Sequence, residues 1–360
     1  MKVAVVGVGV GGSAVAAHAA LQGHEVRVCD VRPDAVEPIA ATGGIRVSGK
    51  EEGFAAVSAA TLDPRVALAG ADVVFLVTQG QDQGAAAASI SRHLGSARLL
   101  VVMPGGTGGA LEVRGAVRAG GADVPVAETD SFPFGCSIPE AAASNIASVK
   151  QRFRVAVLPA GGTAEAVALV REVFAQAEPA ESVLETSLSN MNAILHVAPM
   201  VTNAGRIEHE GGSFDFYGDG VTRSVAKLVA AMDRERRSVA GALGVAVPSL
   251  LEWIQETYGV AEPDEHAAIQ RLHREVYGPM PAPTTLEHRY LLEDVPCGAV
   301  PVASLGSQLG VPAEVTDRCI ELASTLVGVD LRATGRTAER LGLGGLSAAQ
   351  IRDAVMDAPP

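Results

Sequence analysis

The chain begins MKVAVVGVGVGGSAVAAHAALQGHEVRVCD, and no other stretch of its 360 residues limits the fold so strongly. VAVVGV is a continuous apolar run, the pattern of a strand covered on both faces. Gly7, Gly9 and Gly12 follow at G-x-G-x-x-G spacing, SAVAAHAALQ reads as an Ala-rich helix ended by Gly23, and EVRVCD returns as a second strand. The spacing alone is a weak signal. Between a strand and a helix, each glycine acquires a mechanical job. Gly7 allows the tight turn, Gly9 lets a pyrophosphate approach the backbone, and Gly12 lets helix pack on strand. Together with Val10 and Gly11 they make a loop at a helix N-terminus, where free N–H groups can meet phosphates. The expectation is an α/β N-terminal domain of Rossmann type that binds a dinucleotide.

Asp30 ends the second strand, 23 residues after Gly7. A carboxylate there accepts the adenosine ribose hydroxyls and repels a 2′-phosphate, which favours NAD(H). Arg32 keeps NADP(H) open, because its guanidinium can stack on adenine or meet a 2′-phosphate. The alternative makes Asp30 and Arg32 ordinary solvated loop charges. ADVVFLVTQ (71 to 79) and ARLLVVMPGG (97 to 106) read as further strands, and DVPVAET and RFRVAVLPA as later ones. Ligands of open α/β sheets lie outside the carboxyl ends of the strands. Thr78 and the PGGTGGA loop therefore fall on the cofactor side, although those glycines serve equally well as turn punctuation. SFPFGCS (131 to 137), interrupted by Pro and Gly, reads as a loop.

From about residue 183 the strand-like runs stop, dividing the chain into residues 1–182 and an all-α region, 183–360. In ETSLSNMNAILHVAPMVTNAGRIEH, apolar residues recur at three- and four-residue steps, the mark of one helical face. Asn192, His196 and Asn203 share another face, and Pro199 should bend the helix beside the histidine. The bland alternative for a lone histidine amid Ile, Leu and Val is a satisfied core residue. Composition excludes several functions. A net charge of −13 repels phosphate backbones and anionic lipids, so nucleic acid and membrane surfaces are poor partners. No apolar run is long enough to span a membrane, and the N-terminus lacks the basic flank and cleavage site of a signal peptide. Cys29, Cys136, Cys297 and Cys319 are scattered, with no metal-ligand spacing. A reduced, cytoplasmic, metal-free protein is the expectation.

Three stretches of the second half carry a more specific signal: NAILHVAPMVTNAGRIEH (192 to 209), FYGDGVTRSVAKLVAAMDRERRSVAGALG (216 to 244) and HRYLLEDVPCGAVPVASLGSQLGVP (288 to 312). GRTAERLGLGGLS (335 to 347) belongs with them. In this order and at these separations the chain resembles the octopine/nopaline (opine) dehydrogenase family along most of its length. The resemblance implies an oxidoreductase that joins the amino group of an amino acid to a 2-keto acid and reduces the imine with a nicotinamide cofactor. It also implies a homodimer. By the motifs that match, His196 would transfer protons, Asp294 of the R-Y-x-x-E-D motif would pair with it, and Arg289 would bind substrate carboxylate. VPCGAVP departs from the family in placing Cys297 where an aromatic residue is common. With Asn192 and Tyr217, Cys297 is a candidate for the amine side of the pocket, packing being the alternative for Tyr217.

These residue types suit that chemistry. A guanidinium grips a planar carboxylate through a bidentate fork. An imidazole moves protons near neutral pH, and a carboxylate behind it selects its tautomer. Geometry raises one objection: Arg289 and Asp294 are five residues apart, about 140° around a regular helix. They can share a cleft only if the segment is irregular, as Val295-Pro296 suggests. His288 is the rival proton carrier. Rival functions are a family member redirected to another imine, a ketopantoate-type reductase relying on a lysine of the helical half, where Lys227 is the sole lysine after residue 150, and an NAD(H)-binding sensor without catalysis.

Overall fold

The computed structural model describes residues 1–356. The chain divides into two compact units. Of the described residues, one contains 1–105, 109–186 and 354–356; the other contains Gly106–Gly108 and Ser187–Asp353.

Among the described residues the first unit holds twelve strands: β1 (Lys2–Val6), β2 (Glu25–Cys29), β3 (Gly44–Gly49), β4 (Gly53–Ala56), β5 (Ala59–Thr61), β6 (Val73–Leu76), β7 (Leu99–Val102), β8 (Val126–Thr129), β9 (Phe134–Ser137), β10 (Ala143–Val149), β11 (Phe153–Leu158) and β12 (Ala177–Pro179). Eight form the main sheet, in the order β12-β11-β8-β7-β6-β1-β2-β5. β1 lies between β2 and β6, parallel to both, with Val3 opposite Val26 and Val73. β11 pairs antiparallel with β8 and parallel with β12, so these two strands run against the other six. The central strands are Val- and Leu-rich without alternation because both faces are covered.

A second sheet, β4-β3-β10-β9, does not follow from the sequence reading. It packs on the first helix, Val10–Leu21, which also lies against the main sheet. Between two sheets this helix is buried from Gly12 to Ala19. Its alanines make it slim enough for both to approach. His18, the one large polar residue in that run, is fully engaged. Its Nε2–H donates to the Val173 carbonyl at 2.9 Å, its Nδ1 meets Glu51 at 2.7 Å, and its ring stacks on Phe174. The end of SFPFGCS, expected to be loop, forms β9. Its Gly135 suits an edge strand pressed against Ser148, whose Oγ would lie 2.5 Å from an added Cβ.

The second unit is helical, including Asn192–Thr202, Ala204–Glu210, Arg223–Ala242, Leu250–Tyr258, Glu265–Leu272, Val300–Gln308 and Glu314–Val327. Val197, Val229, Met232, Leu250, Ile269, Leu291 and Val300 pack in its core. The segment from Ser187 to Glu210 is broken at Ser189–Met191 and again at Asn203, whereas Pro199 lies inside an uninterrupted helix. The Asn203 amide, expected beside His196, serves the fold by donating to the Pro199 and Gly220 carbonyls. No helix of the described residues is long and apolar enough to cross a membrane.

Candidate active site

The glycine loop has the geometry its spacing implies. Gly7 adopts φ +90°, and a Cβ there would lie 2.6 Å from the Val77 carbonyl oxygen. A Cβ on Gly12 would fall 1.7 Å from the Gly7 oxygen, so the helix can start this close to the strand only as glycine. Gly11 is covered by the Phe132 ring, while in front of Gly9 nothing lies nearer than the Arg32 guanidinium at 3.9 Å. Val10 is half exposed and no side chain caps the helix, which leaves its first N–H groups directed at the space a phosphate would take. Thr78 follows β6 with its Oγ1 buried and without a hydrogen-bond partner. Open space, uncapped donors and an orphaned hydroxyl fit a dinucleotide. Asp30 is more occupied than expected: one oxygen accepts from Val8 N at 2.6 Å, the other from Arg32 N at 2.9 Å. Arg32 itself is about half exposed, its Nε 3.4 Å from the same carboxylate.

In the helical unit, His196 is nine-tenths buried in the middle of Asn192–Thr202. Its Nδ1 lies 2.6 Å from Asp294 Oδ2 and its Nε2 3.0 Å from the Tyr217 hydroxyl. The Tyr290 ring stacks on the imidazole, centroids 3.8 Å apart and 18° from parallel. A carboxylate only accepts, so Nδ1 carries a hydrogen. In the neutral ring Nε2 is then an acceptor and the Tyr217 O–H donates to it. Burial, followed by Tyr290 and Asp294, pushes the Tyr217 phenol well above its ordinary pKa.

The motif around Asp294 reaches the histidine through an unusual turn. His288 caps a short helix, Arg289–Leu292, by accepting from Tyr290 N at 3.3 Å. The chain then widens: Asp294 N donates to Arg289 O and Ala299 N to Asp294 O, both i→i+5 bonds, with a π turn over Val295–Ala299. Each such bond closes a turn over five peptide steps, so residues five apart return to nearly the same side. This removes the 140° objection. Gly298 lets the turn lie on the histidine helix, since a Cβ there would be 2.7 Å from Ala193 Cβ.

Arg289 Nε donates to Glu293 at 2.9 Å. Burial works against its charge, but Glu293 and Asp294 outweigh that and hold the guanidinium above its ordinary pKa. His288 differs: burial, then Arg289, lowers its pKa. Its Nδ1 is occupied as the cap of the short helix. Lys227, which a ketopantoate-type mechanism would require, points to solvent. Asn192 is half-buried and opens the histidine helix, its N–H donating to Asn190 Oδ1. Cys297 is buried within the π turn, and its carbonyl accepts from Thr107 N at 2.9 Å. All four cysteines are free thiols. Sequence reasoning missed Tyr290 as the ring beneath His196, Glu293 as the partner of Arg289, and Thr107. The first two stand in the R-Y-x-x-E-D motif, which named them without naming what they touch.

A family model described as NAD/NADP octopine/nopaline dehydrogenase, alpha-helical domain, matches residues 179–327, and one for ketopantoate reductase PanE/ApbA matches residues 3–128. An opine dehydrogenase of Arthrobacter sp. (strain 1C) is 37% identical over 354 residues, 98% of each chain. A solved octopine dehydrogenase with NADH and L-arginine superposes with a TM-score of 0.80 at 22% identity, covering 100% of this chain and 99% of that one. A yersinopine dehydrogenase with NADP+ bound does so at 0.78 and 15%, covering 99% and 98%. These two likenesses are of fold, whereas the Arthrobacter match extends to sequence along the full length. The chain belongs to the octopine/nopaline (opine) dehydrogenase family, NAD(P)-dependent oxidoreductases acting on CH–NH bonds.

Proposed function

We propose that His196 and Asp294 are the proton-transfer dyad, and Arg289 the carboxylate clamp, of a reductive condensation between an amino acid and a 2-keto acid. The observation that carries this reading is the 2.6 Å His196–Asp294 bond, buried in the helical unit of a chain that aligns end to end with an opine dehydrogenase. Asp294 fixes the tautomer and stabilises the imidazolium. The dyad takes a proton from the attacking ammonium and supplies one as the hydroxyl of the hemiaminal departs. With Nε held by Glu293, Arg289 keeps its two terminal nitrogens for a bidentate hold on the keto acid's carboxylate. Asn192 and Cys297, a turn from His196 and inside the π turn, are assigned to the amine side together with Tyr217.

The nicotinamide cofactor, when bound, supplies the hydride that reduces the imine. Gly7, Gly9, Val10, Gly11 and Gly12 would hold its pyrophosphate, Asp30 and Arg32 its adenosine end, and the orphaned Thr78 hydroxyl would hydrogen-bond to it. NAD(H) is favoured, with NADP(H) the second form. A cytoplasmic homodimer completes the reading. The family resemblance supports the dimer and the four free thiols support the compartment; sedimentation at equilibrium tests the dimer. The function itself is tested by following NADH oxidation across L-amino acids crossed with pyruvate, 2-oxoglutarate and related keto acids. Pyruvate and L-arginine come first, since solved octopine dehydrogenases hold them. Oxidation that depends on both amine and keto acid is expected. Oxidation by a keto acid alone would replace the condensation with simple keto-acid reduction.

A further inference from the structure

The dyad has no free edge. Nδ1 of His196 belongs to Asp294, and Nε2, the nitrogen that would face a substrate, is covered by the Tyr217 hydroxyl at 3.0 Å. Either this ring leaves or it takes part. Its backbone argues for the second. The Tyr217 N–H donates to Asp215 Oδ1 at 3.1 Å, and its carbonyl accepts from the Gln270 amide at 3.0 Å. Asp215 also accepts from Gly218 N and, with its other oxygen, from Met280 N. The ring itself is wedged between Phe216, 5.1 Å away and edge-on, and Tyr277 at 5.7 Å. Uncovering Nε2 would mean driving this wedged ring from between its neighbours in every catalytic cycle.

Building on the dyad reading above, we propose that Tyr217 is the catalytic acid, the group that gives its proton directly to the reacting substrate, with His196 and Asp294 behind it as the proton supply. As the hemiaminal collapses, its C–O bond breaks and the electron pair leaves with the oxygen, which takes the phenolic proton and departs as water. The nitrogen lone pair closes the C=N bond. The phenolic oxygen recovers a proton from Nε2–H of the His196 imidazolium, leaving the neutral ring with its Nδ1–H on Asp294. Burial keeps the phenol protonated between turnovers. It therefore parts with its proton only when the imidazolium replaces it, which makes the two transfers one concerted event.

Tyr217→Phe keeps the ring and its packing and removes only the hydroxyl. With NADH, pyruvate and the fastest amino acid of the screen, kcat should fall by about a hundredfold or more. The KM for pyruvate and the affinity for NADH should stay within about threefold of wild type. A rate equal to or above wild type would mean that the phenol merely covers Nε2, and overturns the proposal. His196→Asn measured alongside separates the two readings. If it too is fully active, the dyad assignment itself falls; if it is inactive while Tyr217→Phe is active, only the relay falls. A loss of KM and NADH affinity together with kcat would make Tyr217 structural and also count against the relay. Should Tyr217→Phe fold poorly, 3-fluorotyrosine placed at 217 preserves the shape and acidifies the phenol. The groups acting on it are His196, Tyr290, Asp294, Tyr258, Tyr277 and Arg289, with His273 and Asp215 beneath its loop. None of these changes with the fluorine, so the alkaline limb of the kcat profile should move to lower pH. An unmoved limb overturns the proposal.

Discussion

At Asp30 one carboxylate serves the loop before it serves any ligand, since its two oxygens already accept from Val8 N and Arg32 N. Removing it by Asp30→Ala strands a buried N–H, a loss of about 1–3 kcal/mol, and should weaken NADH and NADPH binding alike. Arg32, half exposed with its Nε near Asp30, is the proposed reader of a 2′-phosphate. Arg32→Ala should lower NADPH affinity about tenfold and leave NADH within about twofold, read by fluorescence titration of each; equal losses would remove Arg32 from 2′-phosphate recognition. In the helical unit, His196→Ala and Asp294→Ala should each reduce turnover by about 10²–10⁴ with cofactor affinity intact. Arg289→Ala should instead raise the KM for the keto acid. Wild-type rates in all three would sink the site. His196, Asp294 and Arg289 were legible because a motif carries residue identity. Tyr217 on Nε2 was not, because a hydrogen bond between side chains 21 positions apart depends on how the intervening loop folds, and only the Asp215 bracket determines that.

Among the elements, six of the eight strands of the main sheet could be read directly, as short apolar or alternating runs ending in turn residues, whereas β5 and β12, three residues each, could not. The second sheet could not. Its central pair joins β3 to β10, with Arg46 opposite Ala143, and strands of mixed polarity carry no sign of a partner so distant in the chain. Helix ends were hidden for a similar reason: the break before Asn192 is set by tertiary contacts. Arg236, almost wholly buried on the long helix Arg223–Ala242, donates to the Leu188 carbonyl just ahead of that break, to the Pro248 carbonyl, and to Asp233 at 2.6 Å. Asp233 in turn accepts from Leu250 N at 3.0 Å. This pair pins both the entry to the histidine helix and the start of Leu250–Tyr258. Asp233→Ala leaves an uncompensated buried guanidinium and should cost about 3–5 kcal/mol, measured by urea unfolding. A change below about 1 kcal/mol would mean that the arginine finds other partners.

Across the whole molecule, all four tyrosines of the sequence, with its single tryptophan, gather in the helical unit. They run from Tyr290 on His196 through Tyr217 and Tyr277 to Tyr258, whose ring meets Trp253 edge-on. Burial is the first cause of a raised pKa at every one of them. The folded chain thus holds these protons to higher pH than the unfolded chain does. The stability this represents is complete below the ordinary value of 10.0 and drains away as pH rises past it, because only the unfolded state ionises there. Alkaline titration followed at the phenolate absorbance should show no tyrosine ionising near pH 10.0, each doing so only at higher pH. Independent titration of one or more at its ordinary value, with the fold intact, would contradict the burial. The placement of Gly106–Gly108 has a further consequence. Thr107 donates through its N–H to the Cys297 carbonyl and through its hydroxyl to the Ser187 carbonyl, and Gly108 N donates to the Ser187 hydroxyl. These three residues are translated some eighty positions ahead of the unit they complete. A fragment spanning 187–353 would lack the donors that Thr107 and Gly108 bring to the Cys297 and Ser187 oxygens. The helical unit expressed alone should therefore be less stable than within the whole chain, and exchanging it between relatives would require carrying a tripeptide from the other half.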